Sequence, residues 1–166
     1  MPGYDLIMYD EEFKRIKEVL SRLRMETNAK VAFLVDKNGQ QIAAQGDLEG
    51  LDTTSLASLT AGTVAATDGL ARLIGEKEFS VLFHEGERDN IHISIVGQRV
   101  ILVVIFDERS SLGLVRLRVR KASQELEKVF DDILKKVEQE RENLDVGFES
   151  PFAEITDEDI DALFAE

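Results

Sequence analysis

The seven residues 100–106 are all apolar. A run that short cannot cross a bilayer, which takes about 20 residues. It reads instead as a central strand covered on both faces. Just before it, Ile91, Ile93 and Ile95 alternate with His92 and Ser94, the pattern of a strand with one buried face. Gly97-Gln98 leaves room only for a tight turn, and so short a connection joins antiparallel strands. A sheet with such a strand at its centre must be covered by helices.

The rest of the chain supplies them. Phe13, Ile16, Val19, Leu20 and Leu23 recur at helical spacing, which predicts a helix over residues 10–25 with Asp10, Glu11 and Glu12 favourable to its dipole. Residues 30–35 and 40–45 read as two strands. Between them Asp36-Lys37-Asn38-Gly39 is a hairpin turn, because Asn-Gly tolerates positive φ. A long helix over 52–73, capped by Asp52 and ended at Gly75, comes next. Residues 79–85 make a third strand, followed by a turn at 87–90. After the apolar run, Ser110 or Ser111 caps a last long helix with Val115, Val119, Ala122, Leu126, Val129, Phe130, Ile133 and Val137 on one face. Residues 143–151 read as a linker, and Thr156 as the N-cap of a short helix with Ile160, Leu163 and Phe164 on one side.

Charge divides the 166 residues unevenly. The net charge is −13, but residues 138–166 hold eleven acids and one base and so carry ten of those charges. The expected organisation is therefore a nearly balanced domain over 1–137 and an acidic linker with a C-terminal short helix over 138–166. An acidic chain is a poor ligand for nucleic acid or for anionic lipid, since both require basic surface. The absence of cysteine removes disulfides, thiolate metal sites and a cysteine nucleophile. With acids at its start and no long apolar run, the chain is expected to be cytoplasmic.

The middle helix carries the most information. Residues 53–67 contain no charge, where about five would be expected at 32% charged residues. At the helical repeat, Leu56, Leu59, Thr63, Leu70 and Leu73 share one face, which the pattern assigns to the sheet. The opposite face holds Ala57, Ser58, Ala61, Ala65 and Gly69, with Gly62 beside it and only Asp68 and Arg72 charged. A helix facing water normally carries Lys and Glu there. Two explanations are open: a protein–protein surface that a second backbone approaches closely, or a helix buried on both sides within the monomer.

No catalytic constellation emerges. Gly-rich segments lack phosphate-loop spacing, and Asp36-Lys37-Asn38-Gly39 places its Gly two positions too early for a calcium loop. His84 and His92, with Glu85 and Glu87 nearby, read either as a metal or acid–base pair or as polar residues of a sheet face. Asp157, Glu158, Asp159 and Asp161 read as a cation site or as a helix start favoured by the dipole. Arg116, Arg118, Arg120 and Lys121 are a basic group in an acidic chain that answers the acidic tail, a partner, or simply water.

Longer stretches carry a family resemblance. They are Met8-Tyr9-Asp10-Glu11-Glu12-Phe13, Phe33-Leu34-Val35-Asp36-Lys37-Asn38-Gly39-Gln40 and Asp52-Thr53-Thr54-Ser55-Leu56-Ala57-Ser58-Leu59-Thr60-Ala61-Gly62. Further on come Phe83-His84-Glu85-Gly86, Ser111-Leu112-Gly113-Leu114-Val115-Arg116-Leu117-Arg118 and Ser150-Pro151-Phe152-Ala153-Glu154-Ile155. With the element order, these resemble the roadblock family of dynein-light-chain-like proteins, nearest to a bacterial polarity branch. The resemblance implies an α/β (α+β) roadblock fold: a five-stranded antiparallel sheet with one long helix on one face and two on the other, plus a tail with a short helix. It implies a homodimer formed by extending the sheet and setting the middle helices side by side, with Ala57, Ser58, Ala61 and Gly62 at the dimer interface.

For that branch the resemblance further implies a GTPase-activating protein, not itself an enzyme, in polarity and motility control. Two copies would bind one GTP-loaded small Ras-like GTPase on a platform that includes Ala61, Ala65, Asp68, Gly69 and Arg72. The activator would bring the GTPase's own Arg and Gln to the phosphate and the attacking water, where such groups act. No catalytic, metal or cofactor residue is implied, and the protein would concentrate at a cell pole. The tail, through Phe152, Ile155, Ile160, Leu163 and Phe164, would touch the GTPase at a second site and tune nucleotide exchange. The alternative within the family is a non-catalytic scaffold or adaptor dimer.

Overall fold

The computed structural model describes residues 9–147 and the single residue Ala162. The elements are α1 (Asp10–Thr27), β1 (Val31–Asp36), β2 (Gln41–Gly46), α2 (Thr53–Leu73), β3 (Val81–Glu85), β4 (Asn90–Val96), β5 (Val100–Phe106) and α3 (Leu112–Gly147). They form the expected five-stranded antiparallel sheet, in the order β2-β1-β5-β4-β3. Strand β5 lies at the centre and every one of its side chains is buried, as its uninterrupted apolar run demands. Gly97 and Gln98, both at positive φ, make the two-residue turn that joins β4 to β5.

Two apolar cores sit on opposite faces of the sheet. On one face α1 and α3 bury Ile16, Leu20, Leu23, Leu126, Val129 and Ile133 against Leu34, Leu102, Val104 and Phe106. On the other face α2 lies alone over Val31, Phe33, Ile93, Ile101, Val103 and Ile105. Ser111 is the residue that caps α3, its Oγ accepting from the Leu114 amide at 3.2 Å. At the start of α2, Asp52 accepts from the Ser55 amide at 3.1 Å and its hydroxyl at 2.6 Å, which holds the Asp52 carboxyl below its ordinary pKa.

Two corrections follow. Helix α2 is turned differently from the sequence pattern. Ala57, Thr60, Ala61, Val64 and Ala71 face the sheet, while Leu59, Leu70 and Leu73 of the assigned sheet face are exposed. The reason is close packing against the β1–β2 hairpin: a Cβ added to Gly39 (φ +87°) would lie 3.2 Å from the Ser58 Cα and 3.6 Å from the Ala61 Cβ. Only small side chains allow that approach, and β1, β4 and β5 provide the bulk from below. Second, residues 143–147 are the end of α3 rather than linker. The helix α3 begins at Leu112, so its Val115-Leu117-Val119 alternation is helical, with Leu117 outward. The expected short C-terminal helix, and Phe152, Ile155, Ile160, Leu163 and Phe164 with it, lie outside the described residues.

The α1–α3 layer is tied together at its surface. The helices run antiparallel, paired by Arg15–Asp132 at 2.8 Å, Arg22–Glu125 at 3.1 Å and Glu26–Arg118 at 3.6 Å. Half-exposed pairs of this kind set register more than they add stability. At the far end the buried Glu12 carboxylate meets the Lys136 ammonium, whose hydrogen bond holds the Glu12 pKa below the ordinary value.

Candidate interaction surface

The outer face of α2 is apolar, and among the described residues nothing covers it. Leu59 is 70% exposed, Leu73 83% and Ile74 68%, with Leu70 also exposed. Soluble monomers rarely leave such a contiguous run of large apolar side chains in water without a use for it. Leu59, Gly62, Ala66, Gly69 and Leu73 follow one another at spacings of three, four, three and four residues, and all are exposed. That is the spacing of a seam along which two helices pack. Leucines stand at its two ends and small residues at its middle, where a second backbone would cross.

The small residues have no role inside the monomer. A Cβ added at Gly62 or Gly69 meets nothing within 4 Å. Glycine in a helix interior costs roughly 0.5–1 kcal/mol relative to alanine, so two open glycines weaken this helix without any local packing reason. The threonines do not wet the face either. Thr63 donates its hydroxyl to the Leu59 carbonyl and Thr67 to the Thr63 carbonyl, each at 2.8 Å, so both polar groups are satisfied within the helix.

The sheet ends at β3, which among the described residues pairs only with β4, and Val81, His84 and Glu85 are exposed. Its outer row of backbone amides and carbonyls is a template for another strand. Helix α2 packs chiefly against β1 and β2, and β3 is the strand that follows it in the chain.

The residues expected at the interface and platform divide accordingly. Ala57 and Ala61 are buried against the sheet in the monomer. Ser58, Gly62, Ala65, Gly69 and Arg72 are exposed, and Asp68 is half-buried. Leu59, Ala66, Leu70 and Leu73 lie on the same exposed side and were not among the expected residues. For Leu59 and Ala66 the signal was the uncharged stretch over residues 53–67, which leaves no charged side to mark the solvent face.

The histidines do not form a site. His92 lies opposite Phe83 and points into the α1–α3 face, whereas His84 lies opposite Ile91 on the α2 face. His92 is fully buried with neither ring nitrogen hydrogen-bonded, and its burial, with Arg116 nearby, pushes its pKa down. Among the described residues no group of acids and histidines is arranged to hold a metal ion. No helix among them is long and apolar enough to cross a membrane.

With the geometry in place, comparison with known proteins is informative. The Roadblock/LC7 domain profile matches residues 15–106, more than half the chain. The chain belongs to the Roadblock/LC7 family. This roadblock domain is 61% identical to Myxococcus xanthus MglB over 76% of this chain and 96% of that one, with a TM-score of 0.73. It is 35% identical to the gliding protein MglB from Thermus thermophilus, over 77% and 97% of the two chains, with a TM-score of 0.72. A further solved structure, described as MglB with a tetrameric arrangement, is 33% identical over 78% and 97%, with a TM-score of 0.74. The family match ends with β5, so α3 and everything after it lie beyond the common profile.

Proposed function

We propose that this roadblock domain is a regulator, rather than an enzyme, that works as a homodimer on a small Ras-like GTPase of the MglA type. The observation that carries the reading is the exposed apolar seam of α2, with the unpaired edge of β3 as a second surface. Two copies that pair along β3 extend one sheet into a second and bring two α2 helices side by side. Leu59, Gly62, Ala66, Gly69 and Leu73 then meet their counterparts, and Ser58, Ala65, Asp68 and Arg72 flank the joined helices as a platform for the GTPase. The identity to two MglB proteins supports assigning an MglA-type partner, and polarity and motility control follow from the same similarity. Localisation at a cell pole belongs to this proposal.

The dimer stimulates hydrolysis by repositioning the GTPase's own catalytic groups. Transition-state charge on the transferring phosphoryl group is stabilised by whatever positions Arg and Gln correctly. This domain contributes a rigid, nearly uncharged surface against which the GTPase rearranges. The tail, through Phe152, Ile155, Ile160, Leu163 and Phe164, makes a second contact that tunes nucleotide exchange.

Phosphate release by an MglA-type GTPase, measured with and without this protein, tests the reading. Acceleration of at least tenfold is expected. Binding without acceleration would leave a scaffold and overturn the activator function. The double variant Ala65→Arg with Arg72→Glu, both exposed and outside the seam, is expected to keep the monomer fold and the dimer and lose GTPase binding. Retained binding in that variant would remove the platform from α2.

A further inference from the structure

A second unpartnered surface lies on the first half of α3, on the opposite layer from the seam. Between Ser111 and Gln124 the helix has four cations, Arg116, Arg118, Arg120 and Lys121, and no acid. Arg118 pairs with Glu26 across to α1. Arg116, Arg120 and Lys121 are exposed, and none has a carboxylate within ion-pair distance among the described residues. Leu117, 62% exposed, stands among them: it neighbours Lys121 at i+4 and Arg120 at i+3 on the helix surface. The surface is thus one large apolar side chain ringed by unpaired cations.

The chain carries the complement at its own end. Residues 148–166 contain seven acids and no base, interleaved with Phe148, Phe152, Ile155, Ile160, Leu163 and Phe164. We infer that residues 148–166 fold back along α3 and dock on the Arg116–Leu117–Arg120–Lys121 surface of the same chain, acids on the cations and an apolar side chain on Leu117.

Reach permits it. From Gly147 back to Lys121 is about 39 Å along the helix at its fixed rise. Nineteen extended residues span about 60 Å, so the distal half of the segment reaches the basic surface with chain to spare. Because the contact depends on exposed charge, it weakens as salt shortens the screening length from about 14 Å at 50 mM to about 4 Å at 500 mM. The inference concerns the free chain and its test needs no GTPase; the docked tail is the same segment proposed above to contact the GTPase, so the two contacts compete.

The absence of cysteine makes the test direct. A nitroxide is attached to the full-length chain at Ala162→Cys, and amide intensities over residues 113–124 are read by nuclear magnetic resonance. At 50 mM salt those amides are expected to lose at least half their intensity, and to regain it at 500 mM. The triple variant Arg116→Glu, Arg120→Glu, Lys121→Glu is expected to show no loss while keeping the same spectrum elsewhere. Its milder counterpart with Gln at the three positions is expected to show a reduced loss. No broadening at low salt, or broadening unchanged by salt and by charge reversal, overturns the inference. A mixture of nitroxide-bearing unlabelled chain with isotope-labelled chain lacking the nitroxide separates the source. Full broadening there assigns the contact to a second copy and overturns the intrachain docking.

Discussion

The two faces of the sheet are finished to different degrees. On the α1–α3 face, large side chains point inward, the helices are joined by a ladder of ion pairs, and even the buried Glu12 has Lys136 as its partner. On the α2 face, alanines point inward and leucines point outward. The first layer is complete within one chain. The second is a single helix whose outer side matches another helix better than it matches water. The difference teaches that an inverted helix, small inside and large outside, is a stronger sign of a partner than apolar content alone.

The comparison breaks first at the core. Leu126→Ala, in the closed layer, is expected to cost about 2–5 kcal/mol in chemical denaturation, since it opens a cavity among fully buried neighbours. Leu70→Ala, on the outer face of α2, is expected to change monomer stability by less than about 0.5 kcal/mol. The same change should weaken self-association at least tenfold by analytical ultracentrifugation. If Leu70→Ala destabilised the diluted monomer as Leu126→Ala does, α2 would be covered within the chain and the contrast would be lost.

Acid sharpens the contrast from the closed side. His92 has a folded pKa below its unfolded value near 6.5. Its contribution is therefore complete above that value and is lost as pH falls through it, because only the unfolded chain then takes up the proton. Glu12 and Asp132, held low by Lys136 and Arg15, add a loss in the same direction below about pH 5. His92→Leu is expected to flatten the slope of stability between pH 7 and 5 and leave the carboxylate part intact. It should also raise stability at pH 7 by about 1 kcal/mol, since two unpaired buried nitrogens are removed. A slope unchanged in that variant would assign the titration to another group.

Two smaller effects complete the series. Ser111→Ala should cost about 1 kcal/mol by removing the cap of α3. Gly62→Ala should stabilise the dilute monomer by about 0.5–1 kcal/mol while weakening association, because the methyl group finds open space in the monomer and a neighbouring backbone in the dimer. A glycine variant that stabilised the monomer and left association unchanged would show that the helices cross elsewhere.

Much of the architecture was legible in the residues because the relevant signals are local. Gly97-Gln98 adopts the turn its length demanded, but β4 is covered on both faces: His92 and Ser94, which the isoleucine alternation assigns outward, are buried, while Ile91 and Ile95 are half-buried. The caps at Asp52 and Ser111 sit where the side-chain chemistry placed them. The interaction surface was legible as a fact but not as a face: the lack of charge on α2 marked it, yet the same lack of charge left its rotation undetermined. The histidines illustrate the converse, since neighbouring strands suggested proximity while their pairing positions put them on opposite sides.

By itself the sequence determined which segments are helix and strand, that strands joined by short turns pair antiparallel, and that β5 is covered on both faces. Those follow from hydrophobic period and turn length, which act over a few residues. The antiparallel pairing of β1 with β5 was not legible in it. Only the tertiary structure decided how α2 is rotated. Its free energy on the sheet depends on how closely the backbone approaches β1 and the turn at Gly39, and there Ala57 and Ala61 fit where leucine would not. That single rotation sends Leu59, Leu70 and Leu73 outward, so that among the described residues nothing covers them.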